Sequence, residues 1–384
     1  MKESIPTRKK IAFALLPVLI GLFIGEVATR VFGADKCGPI QPQAGNWETM
    51  IGDRDLLWKL EPNTVFRSEH DVTRINEVGL RDSLSPSEKK QSNEKRILIT
   101  GDSSIYGWGV KDTETLAVQL ERELNGRDNI GGPSIKVINM GVPGYSTEQT
   151  IRLLDKVGWL YEPDLVIVSN IFSDCNIDAF QDKTALALAN PQPGFWMRQL
   201  QRSRLYCACH MTWVKHQAGL NQDTNRVLMP GIPTGPNAAV ALEKINASIA
   251  LSRVPIPDYL GNLGTIKAAA EKRGSSMLLA PLAQEWDVGI WRVPMDKPDK
   301  DHVLPWFPYR DAQKKWAGEN KVGIVDFPSV FASQKGDLQR LFVDNMHPSR
   351  EGHQIMARAL ANHIKGHPEL LGLSTSRPGR NRKP

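Results

Sequence analysis

The stretch Arg96-Ile97-Leu98-Ile99-Thr100-Gly101-Asp102-Ser103-Ser104 opens as a short apolar run and ends in turn-forming residues. Four apolar or β-favouring residues after Arg96, bounded by Gly-Asp-Ser, read as a buried strand that stops at a sharp turn. Working outward, the same pattern recurs. Lys136–Asn139 reads as a second strand, and Asp164–Ser169, nearly continuous in apolar residues, as a third buried on both faces. Ser276–Ala280 and Val322–Asp326 read as a fourth and a fifth. Helical patterns fall between and after them, over 113–124, 147–160, 259–273, 311–319 and 351–364. Alternating strands and helices predict a three-layer α/β/α sandwich around a five-stranded, mainly parallel sheet.

In such sheets, ligands bind at the carboxyl ends of the strands. Ser103 falls at such an end, but Gly, Asp and Ser also make plain turns. A serine nucleophile needs a base, and Asp344-Asn345-Met346-His347-Pro348 follows the fifth strand. A turn can bring the Asp344 carboxylate onto one imidazole nitrogen of His347. The other is then free to take a proton from a serine. After the second strand, Asn139-Met140-Gly141-Val142-Pro143-Gly144-Tyr145-Ser146-Thr147 is a Gly-rich loop opening a helix, whose amides can face a developing oxyanion.

Each signal has a bland alternative: a turn at Ser103, a helix cap at Asp344, an N-cap at Ser146. Their order along the chain, Ser, Gly loop, Asp-His, resembles that of the SGNH (GDSL-like) hydrolases over about residues 50–366. Ile75-Asn76-Glu77-Val78-Gly79-Leu80-Arg81-Asp82 is similar to the lead-in of membrane-anchored members, and Tyr106-Gly107-Trp108-Gly109-Val110 extends the likeness past Ser103. The resemblance implies a flavodoxin-like fold with Ser103 as nucleophile, His347 as base and Asp344 as its orienting acid. It implies oxyanion donors at the Ser103 and Gly144 amides, and no metal or organic cofactor. Members carry an Asn-Asp pair after strand three, the Asn being the third donor. Here Ser173-Asp174 stands in its place, so Ser173 is the candidate, with Asn170 and Asn176 as alternatives. The implied reaction is hydrolysis of an acyl ester, such as an O-acetyl group on a cell-surface glycan or lipid. An O-acyltransferase with the same triad and a catalytically silent binding protein are the rival readings.

The amino terminus adds a location. Ile11–Gly25 holds no charge and follows Lys2, Arg8, Lys9 and Lys10. No small-residue cleavage site follows directly, and Glu26 and Arg30 are spaced to pair on one helix face. Residues 11–32 are therefore expected to be a retained transmembrane anchor rather than a cleaved signal. Residues 1–10 are expected in the cytoplasm and the rest exported. Residues 33–50 read as a linker, 51–94 as short polar segments ending in a charged loop, and 367–384 as a disordered basic tail.

The net charge of +6 sits largely at the two ends, so composition gives no reason to expect a nucleic-acid partner. A long insertion, about 176–256, carries the aromatic and basic stretch Phe195–His216. It is expected to be a cap over the sheet edge, or a surface for substrate or membrane. Of the four cysteines, Cys37, Cys175, Cys207 and Cys209, pairing of Cys207 or Cys209 with Cys175 is favoured. A zinc site is the weaker reading, because Cys207-Ala208-Cys209 lacks the usual ligand spacing.

Overall fold

The computed structural model describes residues 7–33, 41–43, 50–67, 72–126, 129, 132–176, 181–189, 194–218, 226–228, 252–290 and 306–373. Its centre is a sheet of five strands, β1 (Glu94–Gly101), β2 (Ser134–Gly141), β3 (Leu165–Val168), β4 (Ser276–Leu279) and β5 (Gly323–Ile324). Every pair is parallel, and the order is β5-β4-β3-β1-β2. The β3 side chains are fully buried, which suits a run without polar alternation.

The helices are α1 (Thr7–Val31), α2 (Ser103–Tyr106), α3 (Leu116–Leu124), α4 (Thr147–Lys156), α5 (Phe172–Cys175), α6 (Asp182–Ala189), α7 (Phe195–Leu200), α8 (Arg204–Ala218), α9 (Ile256–Glu271), α10 (Trp306–Asn320), α11 (Phe327–Ala332) and α12 (Arg350–Gly366). The α3 helix buries Leu116, Leu120 and Leu124, four apart and so on one face, and packs on α12. On the other side α4 packs on α9, and α9 on α10. The chain is an α/β sandwich with helices flanking a parallel sheet.

Four differences from the sequence reading stand out. The segment expected to be short and polar forms two antiparallel hairpins, Met50–Asp53 with Leu57–Leu60 and Val65–Arg67 with Val72–Arg74. Leu56, Leu57, Trp58 and Leu60 enter the core, because this apolar cluster lies against the β2 loop. Within the expected linker, Gln41–Gln43 pairs in parallel with Arg226–Leu228. At the other end, Pro368–Leu371 is a 3-10 turn with Leu371 buried, so the tail begins later than expected; 374–384 lies outside the described residues.

The favoured cysteine pairing is wrong. Cys175 is a free, buried thiol at the end of α5, and Cys209 is free and exposed. Cys207 is disulfide-bonded. Cys175 packs in the hydrophobic core, where its thiol donates to the Phe172 carbonyl at 3.3 Å. Among the described residues no cluster of His, Cys, Asp or Glu is arranged to hold a metal ion. Much of the insertion (177–180, 190–193, 219–225 and 229–251) lies outside the described residues. One helix, over Phe13–Val31, is long and apolar enough to cross a membrane, and none of that span is buried.

Candidate active site

The sheet order reverses between β1 and β3, and in such sheets ligands bind outside the carboxyl ends of the strands at that point. Ser103 leaves β1 as the first residue of α2, with Asp102 as N-cap accepting the Ser104 amide at 3.0 Å. The turn is tight because α2 lies directly on the strand ends. A Cβ at Gly101 would overlap the Ile105 side chain, and one at Gly141 would overlap the Tyr106 amide. Gly107, at φ +89°, closes the helix in a conformation that glycine adopts without strain. Burial pushes the Asp102 carboxyl up to about 6, against the pull of the Ser104 amide and of His347.

His347 comes from the loop after α11. A short antiparallel bridge between Phe342 and Pro348 pinches that loop, and the Val343 amide donates to the His347 carbonyl at 2.9 Å. The Glu285 amide donates to the Asn345 carbonyl at 3.1 Å and ties the loop to the segment after β4. His347 Nδ1 lies 2.7 Å from Asp344 Oδ2, and Nε2 lies 2.7 Å from Ser103 Oγ. Asp344 Oδ1 accepts the Met346 and His347 amides at 2.9 and 2.8 Å, an Asx turn that aims the carboxylate at the ring. Burial pushes the Asp344 carboxyl up. The His347 bond and charge, with those two amides, outweigh it and hold the group below the usual carboxylate range. The Trp108 ring sits 5.9 Å from the His347 ring.

The β2 loop forms the second wall. Gly144 has φ +76°, and the Tyr145 amide closes the turn onto the Val142 carbonyl at 3.0 Å. Trp58 Nε1 donates to the Pro143 carbonyl at 3.0 Å. In a trans peptide the N–H points opposite the carbonyl, so this bond turns the Gly144 N–H away from Trp58. Among the described residues no backbone acceptor takes that N–H. The Gly144 carbonyl accepts from Arg253 Nη1 at 2.7 Å. Arg253 is itself held by Asp182 through two bonds of 2.8 and 2.7 Å, both residues being buried. The Ser146 hydroxyl donates to the same Asp182 at 2.5 Å.

The three candidates for a further donor differ. Asn170 is buried and committed: its Nδ2 donates to the Tyr145 carbonyl and its Oδ1 accepts from Thr150, both at 3.1 Å. Asn176 ends α5, where its carbonyl accepts the Arg253 amide at 2.8 Å. Ser173 lies buried in α5, and its hydroxyl makes no hydrogen bond among the described residues. The neighbouring Asp174 is fixed by the Thr147 amide at 2.9 Å and hydroxyl at 2.5 Å. Burial pushes the Asp174 carboxyl up to about 8.

The structure brings Ser103, His347 and Asp344 into one hydrogen-bonded row, and sets Gly144 and Ser173 after the two strands that flank β1. The segment 75–82 supports the same site from behind α2. Arg81 donates to the Gly107 and Val110 carbonyls at 2.7 and 2.8 Å and pairs with Asp112 at 2.8 Å, so it moulds the loop behind α2. Asp82 accepts the Asn139 amide at 2.8 Å beside β2.

No family model and no curated protein matches this chain. Among solved structures, a lipase/acylhydrolase from Enterococcus faecalis is 14% identical, with 71% of this chain and 96% of that one covered and a TM-score of 0.42. An acetylxylan esterase from Geobacillus stearothermophilus is 15% identical, covering 74% and 97%, at a TM-score of 0.41. An alpha/beta hydrolase enzyme from the metagenome of Lake Arreo is 14% identical, covering 72% and 96%, at 0.43.

The sequence reading missed Trp58, Arg253 and Asp182, which shape this candidate site without joining the row of Ser103, His347 and Asp344. The apolar run Leu56-Leu57-Trp58 was a signal for the first. Arg253 and Asp182 carried none, since each reads as an ordinary surface charge.

Proposed function

We propose that this chain is a serine esterase that hydrolyses small acyl esters through an acyl-serine intermediate. One observation carries the reading: two 2.7 Å contacts line up Ser103 Oγ, His347 and the Asp344 carboxylate. In this reaction His347 Nε2 takes the Ser103 proton as Oγ bonds to the acyl carbon. The carbonyl oxygen becomes an oxyanion facing the Ser103 and Gly144 amides and the Ser173 hydroxyl. Each such donor contributes roughly 3 kcal/mol. Asp344 stabilises the imidazolium. His347 then gives its proton to the leaving alcohol, and the ester C–O bond breaks. Water, activated by the same imidazole, attacks the acyl-serine, releases the carboxylic acid and restores Ser103. No step calls for a cofactor.

With the Ser173 hydroxyl buried at the carboxyl end of the central strand, a small acyl group such as acetyl is the substrate favoured. An O-acetylated glycan or lipid outside the cytoplasm fits this together with α1. In this reading α1 is a retained anchor, and the basic residues before it hold the amino terminus in the cytoplasm. The disulfide at Cys207 supports an oxidising compartment for the rest. The test is hydrolysis of p-nitrophenyl acetate by the full chain and by Ser103→Ala, with folding checked by circular dichroism. The variant is expected to fall to the uncatalysed rate; equal rates would remove Ser103 from the reaction.

A further inference from the structure

The carboxyl-terminal turn of α1 is clamped to the start of α8. Glu26 Oε2 accepts from the Ser203 hydroxyl at 2.7 Å and the Leu205 amide at 3.0 Å, and Oε1 accepts the Arg204 amide at 3.0 Å. Arg30 Nε completes the set at 2.7 Å. Opposite Leu205 stands Gly25, where an added Cβ would come within 3.0 Å of the leucine side chain. A carboxylate in an apolar span is costly unless paired, and the unpaired amides at a helix start are a fitting partner.

The clamp fixes depth. Glu26 lies five residues before the end of the apolar span at Val31, about 7 Å along a helix. The start of α8 therefore sits below the level at which the span leaves the bilayer core. Just before it, joined by three residues and by a bond from the Tyr206 hydroxyl to Met197 Sδ, comes α7. This helix is inside out for a water-soluble protein. Trp196 is 78% and Phe195 64% exposed, Met197 and Leu200 are exposed too, and the most covered residue is the polar Gln199. No Asp or Glu occurs from Lys183 to Gln222, while Arg198, Arg202 and Arg204 punctuate the aromatics.

We infer that α7 and the first turn of α8 are an interfacial element, lying in the headgroup region of the same bilayer that α1 spans. Trp196 and Phe195 face the acyl boundary and the arginines face lipid phosphates. The insertion thus seats the domain against the membrane, with the anchor and the seat locked through Glu26. This rests on the reading of α1 as a retained anchor.

The test uses the full chain in nanodiscs of phosphatidylcholine and phosphatidylglycerol, with or without bromine on the acyl chains near the headgroup. Bromine quenches tryptophan on contact. Quenching is expected for the wild type and for Trp58→Phe, whose indole is buried in the domain. Trp196→Phe is expected to lose most of it. Unchanged quenching in Trp196→Phe, with the chain eluting in the disc, overturns the interfacial element and leaves the anchor standing. A chain that does not elute with the disc removes the anchor, and the interfacial element with it.

Discussion

Asp344 is two-fifths exposed, yet its carboxylate makes three directed contacts with its own loop and His347. Its proposed task is to hold one imidazole tautomer. Asp344→Asn keeps the shape but presents the wrong group to Nδ1. On that account kcat falls by about 10³–10⁴-fold in steady-state assays of the folded variant. Asp174 carries a second expectation, for stability. Its folded value is about 8, against about 3.9 for a free aspartate, so between about pH 4 and 8 the native state holds a proton that the unfolded chain has lost. Stability from this group is full below that window and is lost as pH rises through it. Asp174→Asn cannot titrate, so its denaturation midpoint should change less from pH 4 to 8 than the wild type's. Parallel curves would show the carboxyl ionised throughout. Ser103, Asp344 and His347 were legible in sequence because each sits in a short turn with its own local signature. Trp58 and Arg253 were not, since they act on the Gly144 loop across 85 and 109 residues of chain.

In the proposed mechanism, oxyanion stabilisation turns on the β2 loop. Its peptide planes are set from outside, by Trp58 on the Pro143 carbonyl and by Arg253 on the Gly144 carbonyl. Trp58→Phe keeps an aromatic ring in the core and removes one N–H. A mispositioned amide weakens binding of the transition state more than of the ester. The account expects kcat to fall with KM nearly unchanged, by less than the about 10²–10³-fold that loss of a whole donor costs. A rise in KM alone would make Trp58 a substrate-binding residue instead. The five strands of the sheet were readable from their apolar runs, and α3, α4, α9, α10 and α12 from their patterns. The two hairpins before β1 were not, because strands of three or four residues carry too little alternation to be seen.

At the scale of the whole molecule, the buried Arg253–Asp182 pair joins the two described edges of the insertion to each other and to the sheet's functional end. Arg253→Met leaves the Asp182 carboxylate buried without its cation, which costs about 3–5 kcal/mol. Denaturant unfolding should show that loss, and Asp182→Asn added to it should recover part. A change under about 1 kcal/mol would mean that water reaches the pair. The apolar helix α1 was legible from an uncharged run behind a positive flank. The cysteine pairing was not, because it depends on which thiols the fold brings together: Cys175 lies in the core beside β3, while Cys207 lies on α8.

Labelling with a fluorophosphonate tests the central claim most directly, since the probe bonds only to a serine whose hydroxyl is activated. The account predicts one equivalent of adduct on the full chain, mapped to Ser103 by peptide mass spectrometry and absent in His347→Ala. An adduct on another serine, or none on a folded chain, would contradict it.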